Sequence, residues 1–286
     1  TLSGTLNLTA CEHLQEIYAD GTSLAQIVLP SGGGLRVVEY SRFNQYLSLS
    51  NYPLLTDDGI GIDLCKTVIS DFFIVDCALV RPMKILVDIM NAQMEQGDNH
   101  ALKRIRAVGF EESYNNSFIL DKLVDLTNGT YSGLSSEGLS GEDELPVLDG
   151  TLNINASVYG DTVEALRAMF TRLTLNINGE FYVRFADDIV TMLCAENWGD
   201  GIGTSKRQMG NITELGIIFA GTGIKSFKEL SLSKIESLTN EFTGCSQLSS
   251  IAFPETLRIL NTTAFAGSMV ALDLSDCTHI TDLLID

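Results

Sequence analysis

Basic residues are scarce in this chain of 286 residues. Eighteen lysines and arginines stand against 37 aspartates and glutamates, so the formal net charge is −19. Nucleic-acid binding requires clustered Lys and Arg that displace counterions from phosphates, and this composition argues against such a partner. An anionic membrane surface would repel the chain for the same reason.

Long apolar runs are also missing. The longest, around residues 72–80, contains Asp76 and is far shorter than the roughly 20 residues that span a bilayer. No basic segment followed by an apolar run opens the sequence, as a secretory signal would. We therefore predict no membrane insertion. Because the chain starts at Thr1 and ends within a repeated pattern, we expect a trimmed chain that continues beyond its last residue.

Motifs that carry chemistry are absent as well. The sequence contains no phosphate-binding Gly-x-x-x-x-Gly-Lys, no Gly-x-Ser-x-Gly, no His-Glu-x-x-His and no Cys-x-x-Cys. Its three histidines are His13, His100 and His279, and nothing in the sequence supplies them with convergent partners. We predict no catalytic residues, no cofactor and no metal.

What the N-terminal part does contain is a repeat. An apolar residue, any residue and a second apolar residue recur at nearly equal intervals, starting at Leu6, Ile27 and Leu47, with a weaker copy at Thr67. Such alternation indicates a short strand with one buried face, and turn-forming residues separate the copies. One strand and one turn in roughly every 20 residues is the unit of a solenoid, whose turns must stack to bury their apolar faces.

A second pattern centres on cysteine. An apolar residue precedes the cysteine by three positions, and further apolar residues follow three and six positions after it, at Cys11, Cys245, Cys277 and more loosely Cys77. We predict that these thiols face inward and are reduced. With Cys65 and Cys194 the chain has six cysteines, and because this number is even, disulfides or a metal site are the alternative.

The C-terminal third has a strict period of its own. Phe219, Phe242 and Phe265 recur at equal intervals, and each precedes two small residues. Between the last two lie Leu248 and Ile251, which we predict in consecutive inward positions. This segment resembles the leucine-rich repeats of the bacterial surface-antigen type. The resemblance implies a solenoid of short parallel strands. The whole arrangement is similar to large repeat proteins encoded by gut bacteria and their phages.

The middle of the chain departs from the repeat. Its patterns predict helices over 82–96, 117–126 and 161–170, strands over 102–108, 147–155, 173–178 and 180–185, and a mobile loop over 128–146. We predict an α/β fold in which a leucine-rich-repeat solenoid is interrupted by a helical α/β capping segment. The predicted domains are 1–190, an irregular array whose cap occupies 111–190; a linker over 191–211; and a second array over 212–286.

Two acidic, glycine-rich segments have the composition of calcium-binding loops. We interpret residues 57–63 as a solvated turn. Residues 197–205 correspond, in the proteins that this region resembles, to a calcium loop of the EF-hand kind. Here Asp200 is its one carboxylate, and Lys206 and Arg207 follow it. Since calcium prefers six to eight oxygen ligands, we predict no binding.

These observations favour a non-catalytic protein–protein interaction or structural module that belongs to a larger assembly. The first hypothesis is a phage virion component of the tail, neck or baseplate; the alternative is a bacterial cell-surface or secreted adhesin that binds host protein or glycan. An enzyme with its site in the helical insert is the third. Aromatic residues are enriched at interfaces, so the candidate anchors are Tyr18, Tyr40, Phe43 and Tyr46, although such residues also pack in cores.

Overall fold

The computed structural model describes residues 2–40, 43, 46–64, 67–96, 102, 104–127, 147–169 and 173–285. The loop predicted over 128–146 lies outside these ranges, as do Cys65 and His100. The described chain is mixed α/β with mostly parallel sheets, few helices and no closed barrel. It divides into two compact units. Unit 1 comprises Thr1–Ser157 and Glu164–Asn178, and unit 2 comprises Val158–Val163 and Gly179–Asp286.

The N-terminal part of unit 1 contains two small parallel sheets. Leu6 on the first strand lies opposite Ile27, and Ile17 on the second lies opposite Val38. Strands β1 and β3 form one sheet, and β2, β4 and β6 form the other in that order. Each of the first three copies of the N-terminal repeat therefore spans two strands rather than the one that we predicted. The strands are β1 (Ser3–Asn7), β2 (Glu16–Tyr18), β3 (Ser23–Val28), β4 (Val37–Glu39), β5 (Tyr46–Ser50) and β6 (Ile60–Gly61).

A larger parallel sheet completes unit 1, with strand order β10-β9-β8-β7-β5. The helices predicted over 82–96, 117–126 and 161–170 are confirmed to within a residue or two. The weak apolar pair at Thr67 is buried but not a strand, because the strand begins at Asp71. The elements along this stretch are β7 (Asp71–Val75), α1 (Pro82–Glu95), β8 (Arg104–Tyr114), α2 (Phe118–Thr127), β9 (Val147–Ile154), α3 (Gly160–Met169) and β10 (Thr174–Ile177).

The first turn of α1 is stabilised from β8. The side chain of Glu112 accepts hydrogen bonds from the backbone N–H groups of Met83 at 2.7 Å and Lys84 at 3.3 Å. Arg81 at the helix start provides no side-chain cap of its own. The carboxylate therefore satisfies two of the donors that every helix N-terminus leaves open.

Unit 2 contains helices where we predicted a linker. The 191–211 segment contains most of α4, whose Val190 and Cys194 are buried, and all of α5. Asp187 caps α4 by accepting from the Ile189 N–H, and its other oxygen accepts from the Lys225 N–H at 2.6 Å. The elements are β11 (Glu180–Phe181), α4 (Asp188–Trp198), α5 (Lys206–Met209), β12 (Ser226–Phe227), β13 (Ser237–Leu238), β14 (Ser250–Ile251), β15 (Ile259–Asn261) and β16 (Asp282–Leu284).

A column of aromatic rings forms the core of unit 2. The ring centroids of Phe219 and Phe242 are 5.7 Å apart, and those of Phe242 and Phe265 are 5.4 Å apart. Trp198 stacks on Phe219 at 6.5 Å, so the one tryptophan extends the column into α4. The phenylalanine period of the sequence thus has a physical counterpart in successive ring contacts.

The two residues predicted in inward positions differ in burial. Leu248 is fully buried, as predicted, whereas Ile251 is half-buried and packs against the same core from β14. Strand β14 pairs with β12, and β13, β15 and β16 form a second parallel sheet. In that sheet, Leu260 on β15 lies opposite Leu238 on β13 and opposite Leu283 on β16.

The five described cysteines are free thiols. Cys77, Cys194, Cys245 and Cys277 are buried, whereas Cys11 is exposed, contrary to the inward position that we predicted for it. Residues 9–13 around Cys11 are exposed too. Cys245 shows what the buried position does: its Sγ donates to the Phe219 carbonyl at 2.9 Å, which joins neighbouring turns.

Candidate functional site

A cavity of unit 1 lies between β3 and β5. It has a volume of about 740 Å³ and is lined by Ala25–Leu29 on one side and by Tyr46, Ser48 and Ser50 on the other. This volume falls within the roughly 300–1,000 Å³ range of ligand pockets. We call this space the β3–β5 cleft.

The cleft separates two strand edges. Strand β3 pairs with β1 and strand β5 pairs with β7, but the described chain places no strand between β3 and β5 and does not pair them with each other. Backbone N–H and C=O groups along such edges remain available for hydrogen bonding. The cleft therefore presents main-chain groups as well as side chains.

Two tyrosine hydroxyls donate hydrogen bonds to carbonyls at the two ends of the β3 edge. Tyr40 donates to the Leu24 carbonyl at 3.0 Å, and Tyr52 donates to the Pro30 carbonyl at 3.0 Å. Burial raises the pKa of Tyr52, so its hydroxyl stays protonated and remains a donor. The stretch between the two bonded carbonyls is Ala25–Leu29, the same five residues that line the cleft.

The described lining is uncharged, which is unusual for a chain with 37 acidic residues. The lining contains apolar side chains such as Ile27 and Val28 together with hydroxyl and amide groups such as those of Gln26, Ser48 and Asn51. Depletion of charge together with tyrosine enrichment is typical of the central part of protein interfaces. The cleft thus combines apolar contact area with neutral hydrogen-bonding groups.

Three of the four predicted anchors line this cleft. Tyr40 and Phe43 are only 6% exposed and meet edge to face at 5.7 Å, so they form its floor rather than exposed anchors. Tyr46 is 47% exposed and packs edge-on against Phe73 at 6.1 Å. Tyr18, on β2, is 63% exposed and does not line the cleft.

Sequence reasoning missed two parts of the cleft. The first is Tyr52, which lies in a turn beside Pro53 and whose carbonyl partner is 22 residues earlier. The signal in the sequence was the spacing of 22 residues between Tyr52 and Pro30, which is about one repeat length. The second is the pair of strand edges, which no local pattern indicates because pairing depends on distant segments.

The grooves of unit 2 are chemically different. One, of about 600 Å³, is lined by Glu255 and Asp276 among serines and threonines. Another, of about 430 Å³, is lined by three glutamates and one lysine, which are Glu214, Glu236, Glu241 and Lys234. Their carboxylates would repel an anionic partner and cost desolvation energy on contact with a neutral one. The cleft of unit 1, whose described lining is uncharged, is therefore the better candidate site.

The carboxylate singled out in the 197–205 segment is engaged within the chain. Asp200 accepts from the Tyr182 hydroxyl at 2.5 Å and from the N–H groups of Ile202 at 3.0 Å and Gly203 at 3.3 Å. Partial burial raises the pKa of Asp200, but these three hydrogen bonds outweigh it and the net pKa is lowered.

The 57–63 segment is likewise not a fully solvated turn. Its Asp57 accepts from the Arg81 N–H at 2.6 Å and forms an ion pair with Arg81 Nε at 2.6 Å. Its Ile60 is buried on β6, where it pairs with Val38. Across the described ranges, no three His, Cys, Asp or Glu side chains converge as a metal site would require.

Comparisons with known proteins do not assign the chain to a group. No family model matches this sequence, and no curated protein and no solved structure matches it. The resemblance to leucine-rich repeats therefore stays a prediction from residue patterns. Among the helices in the described ranges, none has the length and apolar character needed to cross a bilayer.

Proposed function

We propose that this chain is a non-catalytic protein-interaction module, built as a leucine-rich-repeat solenoid, and that it binds a protein partner in the β3–β5 cleft. The observation that carries the proposal is the cleft itself: its described lining is uncharged and partly aromatic, and the described chain leaves the two strand edges beside it unpaired. The chain as a whole is strongly acidic. Neutral tyrosine-rich surfaces of this kind favour protein partners.

The solenoid part of the proposal is supported by recurring contacts. Gly221 donates its N–H to the Thr243 carbonyl, and Gly244 donates to the Ala266 carbonyl, both at 2.8 Å. Gly221, Gly244 and Gly267 share a left-handed backbone, and a Cβ on Gly244 would lie 3.4 Å from the Gly221 Cα. Repeated contacts between each turn and the next are what a solenoid requires.

The absence of catalysis is part of the proposal and follows from the chemistry of the cleft. The titratable groups in its described lining are the hydroxyls of Tyr40, Tyr46 and Tyr52. Those of Tyr40 and Tyr52 already donate to carbonyls. General acid–base catalysis usually employs groups with pKa values near the working pH, and tyrosine ionises near pH 10.

The biological setting is proposed from the sequence resemblance. A structural component of a phage virion is the first setting, and a bacterial cell-surface or secreted adhesin for host protein or glycan is the second. An antiserum raised against the chain distinguishes them. It should label purified phage particles in the first case and intact bacterial cells in the second.

The binding role is tested with the full chain and a displayed library of random twelve-residue peptides. Ser48→Arg introduces bulk and charge into the cleft, whereas Tyr18→Ala removes an exposed tyrosine outside it. Peptides selected on the unmodified chain should lose about tenfold or more in affinity for Ser48→Arg and should bind Tyr18→Ala normally. Selection that yields no peptide preferring the unmodified chain over Ser48→Arg would refute the role.

A further inference from the structure

We infer that the occupant of the β3–β5 cleft is an extended, uncharged segment of about five residues from a partner protein, which inserts as a β-strand between β3 and β5. This inference rests on the proposed function and specifies the form in which the partner is bound. Recognition would come chiefly from main-chain hydrogen bonds, as in other cases of strand addition.

The strand edges supply the first argument. An inserted strand would find β3 on one side and β5 on the other, so both rows of its N–H and C=O groups would be paired. Ordinary strand addition at a sheet edge pairs one row only. Within the described chain, Ala25–Leu29 and Tyr46–Ser50 make no strand pairing across the cleft, and the two sheets end on these strands.

The length of the occupant follows from the tyrosine hydroxyls. The Tyr40 bond to Leu24 and the Tyr52 bond to Pro30 occupy the carbonyls just before and just after Ala25–Leu29. Five residues of β3 and its end thus remain between them, and alternate residues of the five-residue strand β5, Tyr46, Ser48 and Ser50, line the same space. A strand of five residues spans about 16 Å at the usual rise per residue.

Charge determines the composition of the occupant. Burying a charged side chain against the described lining, which is uncharged, would cost desolvation energy without a compensating ion pair from those residues. The central residues of the segment should therefore be uncharged, and β-branched residues suit a strand best. A second copy of this chain is disfavoured because each copy carries a net charge of −19, whereas basic residues flanking the segment would be attracted.

The test uses the full chain and a displayed peptide library in which five randomised uncharged residues lie between pairs of lysines. Selected peptides are synthesised with N-methyl groups on the central amides, which removes donors without changing side chains. N-methylation should weaken binding about tenfold, whereas methylation at the flanking lysines should have little effect. Hydrogen exchange should show protection of residues 25–29 and 46–50 when peptide is bound.

The outcomes separate the two proposals. Peptides that prefer the unmodified chain over Ser48→Arg but tolerate central N-methylation would refute strand insertion while leaving the binding role intact. Protection confined to segments outside 25–29 and 46–50 would also refute insertion. If this library and the random one both yield no peptide that distinguishes the unmodified chain from Ser48→Arg, the binding role and the inference fail together.

Discussion

At the scale of single residues, burial determines which thiols react. Cys11 is exposed, whereas Cys194 is buried and its pKa is raised to about 12, mainly by desolvation. A thiolate is the reactive form, so the buried thiols should be inert in the folded chain.

Alkylation with iodoacetamide should therefore modify Cys11 before Cys77, Cys194 and Cys245, which should stay protected until denaturant unfolds the chain. Peptide mass spectrometry gives the order of modification. Under denaturing, non-reducing conditions all six cysteines should be alkylated, and paired cysteines in that sample would contradict the reduced state that we predict.

Glu112 couples pH to stability through a buried carboxylate. Desolvation raises its pKa above the ordinary 4.5, although hydrogen bonds from Tyr114, Met83 and Lys84 act in the opposite direction. A group whose pKa is raised on folding contributes most to stability below its unfolded pKa, and that contribution is lost as pH rises through the folded pKa.

The variant Glu112→Gln tests this sign. Gln cannot ionise but retains an oxygen that can accept from the first turn of α1. As pH rises from 4 to 8, the unmodified chain should lose unfolding free energy relative to Glu112→Gln, measured by denaturant titration at each pH. A relative gain over the same range would mean that the hydrogen bonds outweigh burial.

At the scale of elements, the turns of unit 2 depend on glycines with a left-handed backbone. Gly244 has φ of 80°, and its Cβ would also approach the backbone of Gly221. Gly244→Ala should therefore lower the free energy of unfolding by about 1–2 kcal/mol, the cost of that conformation for a residue with a Cβ.

Gly223→Ala is the matched control. The nearest atoms to a new Cβ at Gly223 are 3.7 Å away, an ordinary contact, and its φ lies outside the left-handed range. Its free energy of unfolding should change by less than about 0.5 kcal/mol. Equal effects of the two substitutions in urea titrations would show that backbone conformation is not the cause.

The loop between α4 and α5 should not bind calcium with micromolar affinity. Asp200 contributes one carboxylate, and its oxygens already accept three hydrogen bonds that a calcium ion would have to displace. Calcium affinity depends on the number of charged ligands and on loop rigidity. Calorimetric titration should show no saturable heat, and a one-site isotherm abolished by Asp200→Ala would overturn this expectation.

At the scale of the whole molecule, self-repulsion limits stability. A net charge of −19 is concentrated in the compact state, and salt shortens the screening length from about 30 Å at 0.01 M to about 8 Å at 0.15 M. The melting temperature should therefore rise with sodium chloride. A gain on the order of 1 kcal/mol would correspond to about 2–4 °C.

Potassium chloride at the same ionic strength is the control for ion-specific effects and should give the same shift. A melting temperature that falls as either salt is added would show that attractive ion pairs, such as Arg81 with Asp57, outweigh the repulsion.

The sequence by itself determined the features that depend on local patterns. Spacing alone indicated the period of Phe219, Phe242 and Phe265, and apolar periodicity and capping residues indicated three helices. These features could be predicted because a helix or a repeat is specified by residues that are close together in the chain. Tyr40, Phe43 and Tyr46 could be named as candidates on residue type alone.

Only the tertiary structure decided what those candidates form together. Glu112 caps a helix that begins 30 residues earlier. The glycines after Trp198 favoured a linker in the sequence where the structure has the end of helix α4. The β3–β5 cleft exists because two strands with similar patterns end separate sheets instead of pairing. Strand pairing is a long-range choice that depends on what each edge meets in space, and no local sequence pattern specifies it.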